Sequence, residues 1–156
     1  MLQRIQTLYL TIVLILSCLT LFSPVATLFN KEDLTFYEIN YRGICLIEDD
    51  SKTPVSSVWA LTVISAIVPL VTLATIFFYK KRMLQIRLSI FNLIIMIGYY
   101  VILFIYIWFA TKNLPASHWN LKIVSAFPLV NIILTILAMR AIVRDERLIK
   151  SLNRLR

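Results

Sequence analysis

A side chain that does chemistry must titrate, bind metal or attack, and this chain holds few such groups. Its single histidine, His118, stands beside Trp119, so no two imidazoles can share a metal ion. Cys18 lies in an apolar run and Cys45 stands alone in a polar stretch. Neither has the partner thiol that exchange chemistry needs, and their different depths predict no disulfide. Serine and threonine hydroxyls have no base nearby. Four uncharged runs, Ile5–Asn30, Thr53–Tyr79, Leu88–Thr111 and Ile123–Met139, lack Asp, Glu, Lys, Arg and His altogether. Those are the residues that mark proton relays, ion paths and catalysis inside a membrane. The expectation is no enzyme, with no catalytic residue, no metal site and no cofactor.

The polar residues that do occur inside the runs follow helical spacing. Ser89, Asn92, Met96, Tyr99 and Tyr106 make one stripe; Asn131, Thr135 and Ala138 make a second; Thr7, Thr11, Leu14 and Cys18 make a third. Asn92, Asn131, Tyr99 and Thr135 are the candidate interhelical contacts, with bonds from the asparagines across helices or to Tyr99 contributing roughly 0.6 to 2 kcal/mol. Pro69 and Pro128 occupy matching places in the second and fourth runs, where each frees a carbonyl and can kink a helix or shape its packing.

The elements that must carry these stripes are membrane spans. With 60% hydrophobic residues, 15% charged and two glycines among 156, the composition is not that of a soluble domain. A crossing helix needs about 20 apolar residues. Three runs exceed that; the fourth is short, but Lys122 and Arg140 flank it and can snorkel. The predicted fold is a single all-α transmembrane domain over 1–156, a four-helix bundle with spans at about 5–29, 55–79, 88–111 and 122–143. External loops take 30–54 and 112–121, a cytoplasmic loop 80–87, and a cytoplasmic amphipathic tail 144–156.

Charge sets the orientation. Arg4, Lys80, Lys81, Arg82, Arg87 and the basic residues from Arg140 to Arg156 lie on one side, while six of the eight acids lie in the opposite loops. The basic side, with both termini, is predicted to be cytoplasmic. This topology accounts for the net charge of +8 without nucleic acid, since no aromatic stacking pattern accompanies it. The tail after Arg140 reads either as a surface helix on the inner leaflet or as a continuation of the fourth span. The first run has no cleavage site and reads as an uncleaved anchor. Trp59, Trp108 and Trp119 fall at the external interface. LTFYEINYRGICLI alternates and predicts a short strand or hairpin turning at Arg42 and Gly43; EDDSKTP reads as an exposed acidic turn.

MLQRIQTLYLTIVLI from Met1 aligns without gaps on MLQIRLSIFNLIIMI from Met83, and VISAIVPLVTLATI from Val63 resembles IVSAFPLVNIILTI from Ile123. Either a helical hairpin is duplicated, or two apolar segments share a small alphabet. Three stretches, LQRIQTLYL, YKKRMLQIRLSIFN and AMRAIVRDERLIKSLNRLR, resemble a family of small four-span membrane proteins of unknown function in Bacteroidota. The resemblance covers the whole chain and implies a bacterial inner (cytoplasmic) membrane location. It implies no reaction.

Three function classes follow. The first-ranked is a structural or accessory subunit of a membrane complex, docking through lipid-facing helices or through a cytoplasmic surface of Gln3, Arg4, Gln6, Gln85, Arg87, Arg144, Arg147 and Arg154. Membrane lipids, and another membrane protein or complex, are the partners this implies. The second is a carrier of a small molecule or lipid, with a cavity near Pro69, Pro128, Asn92 and Asn131. An intramembrane enzyme ranks last.

Overall fold

The structure is a computed structural model that describes residues 3–30, 35–48, 51–79, 81–113 and 118–154. Four helices, α1 (Gln3–Phe22), α2 (Trp59–Phe77), α3 (Arg82–Asn113) and α4 (Phe127–Arg154), pack in a ring, each on its two neighbours. All four carry a stretch long and apolar enough to cross a membrane. At 1.5 Å per residue, α1 and α2 are each about 30 Å long, one hydrocarbon thickness, whereas α3 and α4 extend further. The basic α2–α3 turn and the outer ends of α1 and α4 share one end of the bundle, termed here the basic end.

The opposite end corrects the all-α expectation. Five strands form one antiparallel sheet in the order β4-β3-β2-β1-β5, from β1 (Ala26–Phe29), β2 (Phe36–Asn40), β3 (Gly43–Glu48), β4 (Ser51–Ser56) and β5 (His118–Leu121). The hairpin of the first loop is its centre, β2 and β3, turning at Tyr41 and Arg42 with Asn40 opposite Gly43. Gly43 has φ +138°, and a Cβ there would strike the Ser56 carbonyl, so glycine is required. Asp49 and Asp50 of the acidic turn lie outside the described residues.

Local chemistry explains each departure. Pro24 supplies no N–H and disfavours helical geometry at Ser23, so α1 stops at Phe22 and the apolar residues beyond it enter β1. Pro54 sits in β4, an edge strand where a missing donor is tolerated, and α2 begins only at Trp59. β5 has four exposed residues and no alternating pattern; its pairing is dictated by β1, with Ala26 opposite Leu121 and Phe29 opposite His118. The two loops at this end of the bundle are thus one sheet. Ala26, Leu28, Tyr37, Ile39 and Ile44 share a buried cluster with Leu61 of α2 and Leu103, Ile107 and Ala110 of α3, so the sheet is seated on the bundle.

The helices are apolar outside and polar inside. Leu8, Ile15, Leu70, Ile94, Val101 and Ile133 are exposed, while Ser17, Thr72, Thr75, Ser89, Asn92, Asn131 and Thr135 are buried. Such surfaces match lipid and not water. Trp59, Trp108 and Trp119 are all exposed near the sheet end, the place of an interfacial aromatic belt.

The structure also bears on the repeat. The buried faces of α1 and α3 match when Gln6 is paired with Gln85 and Thr20 with Tyr99. The gapless alignment instead pairs Gln3 with Gln85, three residues out of step, or about 60° around a helix axis. Pro69 lies inside α2, but Pro128 is the second residue of α4, where no helical bond is lost. The two prolines do not play matching roles.

Candidate functional site

Two groups of polar side chains occupy the bundle. The first is the interior stripe. Asn92 Nδ2 donates to Thr72 Oγ1 at 2.9 Å, tying α3 to α2, and Thr72 donates in turn to the Val68 carbonyl at 2.8 Å. Asn131, Tyr99 and Thr135 are at most 2% exposed. Asn92 Oδ1, Asn131 Oδ1, Thr135 Oγ1 and the Tyr99 hydroxyl are fully buried without a hydrogen-bond partner. The four candidate residues therefore share the interior, but among the described residues no bond joins them to one another; Asn92 bonds instead to Thr72, which lies outside the predicted stripes. Tyr100 donates to the carbonyl of Ser125, in the single 3-10 turn (Ile123–Ala126) that leads into α4, at 2.7 Å.

Between these side chains lies a cavity of about 20 Å³, lined by Ser17, Thr20, Ser65, Met96, Tyr99 and Asn131 among others. That is room for about one water molecule. Ser17, Thr20 and Ser65 each donate to a carbonyl of their own helix, the usual way a hydroxyl is satisfied in an apolar helix. The same device explains a reversal on α1. Thr7 and Thr11 face outward, with Thr11 Oγ1 donating to the Thr7 carbonyl at 2.8 Å, and the inward stripe is Gln6, Leu10, Val13, Ser17 and Thr20.

The second group lies at the basic end. Gln6 Nε2 donates to Asp145 Oδ2 at 2.5 Å, joining α1 to α4, and Asp145 is only 7% exposed with Oδ1 unpartnered. Gln85 is also buried, at 4% exposure. Gln6 and Gln85, expected on a cytoplasmic surface, are instead part of the interior. Arg87 and Arg144 are exposed. Gln3 and Arg4 belong to the first turn of α1 and Arg147 and Arg154 to the end of α4, which runs unbroken to Arg154; their side chains lie outside the described residues. Asp145 continues the α4 stripe of Asn131, Thr135, Ala138 and Ile142 at helical spacing. Extending that stripe past Arg140 is the signal that would have found it.

At the sheet end, Lys122 Nζ donates to Glu38 Oε1 at 2.5 Å, an ion pair between the second loop and β2. Both cysteines are free. Among the described residues no group of three or more His, Cys, Asp or Glu is placed to hold a metal ion.

No curated protein matches the chain, and no solved structure matches it either. A family model described as Domain of unknown function (DUF4293) matches residues 2–155. Four membrane-capable helices, a single sheet at one end of them and a packed polar interior are thus features of one continuous unit, and the chain belongs to the DUF4293 family of domains of unknown function.

Proposed function

We propose that the protein is a non-catalytic accessory or structural subunit of the bacterial inner membrane, in keeping with the resemblance to four-span proteins of Bacteroidota, and that it docks onto another membrane protein. The basic end faces the cytoplasm and the sheet faces outward, the orientation favoured by the distribution of Lys and Arg. The observation that carries the reading is the packed interior. Its central cavity of about 20 Å³ holds about one water, far below the roughly 300 Å³ of a small-molecule pocket. Such a bundle supports binding at its outer surfaces in preference to carriage through its centre. Exposed Arg87 and Arg144 supply the cytoplasmic part of that surface. Purification from native membranes in a mild detergent tests the proposal: a stoichiometric membrane partner is expected, and recovery of the chain alone under several mild detergents would oppose it.

A further inference from the structure

At the basic end the wall between α1 and the α2–α3 turn is open. α2 stops at Phe77, α3 starts at Arg82, and a cleft of about 480 Å³ is left between them and the first turns of α1. Gln6, Thr7, Leu8, Thr11 and Ile12 line it from α1, and Tyr79, Arg82 and Gln85 from the other side.

The lining is amphipathic in a particular order. Gln85 is 4% exposed and lines the cleft one helical turn beyond Arg82. Arg82 Nη1 is buried with no partner. Arg82 opens α3, whose first turn carries no acidic residue, so the positive end of the helix dipole adds to the guanidinium. Asp145 does not line the cleft, and its Oδ2 is held by Gln6. Leu8 and Ile12 are exposed, and they continue along α1 into the outward apolar row of Ile15 and Leu19. A guanidinium with one buried, unpartnered nitrogen and a buried amide side chain meet a lipid-facing apolar wall.

We infer that this cleft is a binding site for the phosphate headgroup of an anionic phospholipid. Arg82 and the Gln85 amide face the phosphate, and Leu8 and Ile12 lie along an acyl chain. A buried guanidinium nitrogen without a partner is costly until an anion satisfies it. Basic pockets between membrane helices are suited to lipid phosphates. The apolar wall selects a lipid over free phosphate, because only a lipid covers both parts.

The test is retention of phosphatidylglycerol against phosphatidylcholine by the full chain, purified in neutral detergent and read by native mass spectrometry. Wild type should retain phosphatidylglycerol about tenfold better, with phosphatidylglycerol also raising the melting temperature. Arg82→Gln should lose about tenfold of that retention, the scale of one charge-assisted hydrogen bond. Arg87→Gln, which removes the same charge from the exposed face of α3, should not. Equal retention of the two lipids by wild type, a measurement that needs no variant, would overturn the inference. So would equal losses in Arg82→Gln and Arg87→Gln. Inorganic phosphate alone should not raise the melting temperature; if it matches phosphatidylglycerol, the acyl-chain part of the site is wrong and a soluble anion is the ligand.

Discussion

Replacing Lys122 with methionine removes one partner of the ion pair that joins the α3–α4 connection to β2. Glu38 is 5% exposed at its side chain and Lys122 39%. Breaking a fully buried pair costs about 3–5 kcal/mol and breaking an exposed one about 0–1. With one partner buried and the other reaching water, and with Glu38 keeping a further interaction, the expected cost is about 2 kcal/mol. For a chain of this size that is a fall of about 5 °C in melting temperature. The loss should be local at first, because β5 is a four-residue edge strand whose sheet neighbour is β1 and the pair lies one residue beyond its end. Hydrogen exchange of the amides of 119–121 should therefore quicken before global unfolding. Pairing Lys122→Met with Glu38→Gln removes both charges and should recover most of the stability, since an uncharged pair carries a smaller desolvation cost. Trp fluorescence during thermal unfolding in detergent gives the first readout and mass-resolved exchange the second. The reasoning fails if the double variant is no more stable than the single one, or if exchange in β5 does not change.

Other substitutions test separate parts of the fold. Asn92→Leu deletes the bond to Thr72 and should lower stability by roughly 0.6 to 2 kcal/mol in a detergent melt; no loss would mean the interior stripe holds nothing together. Gly43→Ala places a Cβ against the Ser56 carbonyl at positive φ, so a loss of about 1–3 kcal/mol is expected. Gly98→Ala meets no atom within 4 Å of the new methyl and should gain about 0.5–1 kcal/mol; opposite signs at the two glycines are the check. Gln6→Leu leaves Asp145 without its donor and should cost about 1–3 kcal/mol. Asp145→Asn in that background should restore part of it, read by the same melt.

The helices were legible in the sequence because lipid demands long apolar runs, and hydropathy alone locates them. Their inward faces were half legible. The stripes through Asn92 and Asn131 were found from spacing, whereas that on α1 was read as Thr7 and Thr11, whose hydroxyls can be satisfied by their own helix and so need not face inward. Gln6 and Asp145 were missed because charge was used to end the spans, and a carboxylate near the interface can still be buried when an amide on the next helix holds it. The sheet was hidden for two reasons. Pro24 ends a helix inside an unbroken apolar run, and β5 is a strand only because β1 presents an edge to it, a tertiary effect with no local signature.

All of these readings rest on one arrangement, with the sheet and the basic end on opposite sides of a membrane. Single cysteines report it directly: Ser57→Cys beside the sheet and Arg144→Cys at the basic end, both at exposed positions, introduced with Cys18 and Cys45 replaced by alanine. Intact cells, with the outer membrane made permeable, are treated with a maleimide that cannot cross the inner membrane. The arrangement described here predicts labelling of Ser57→Cys in intact cells and of Arg144→Cys only after the inner membrane is opened. Labelling of both from the same side would contradict it.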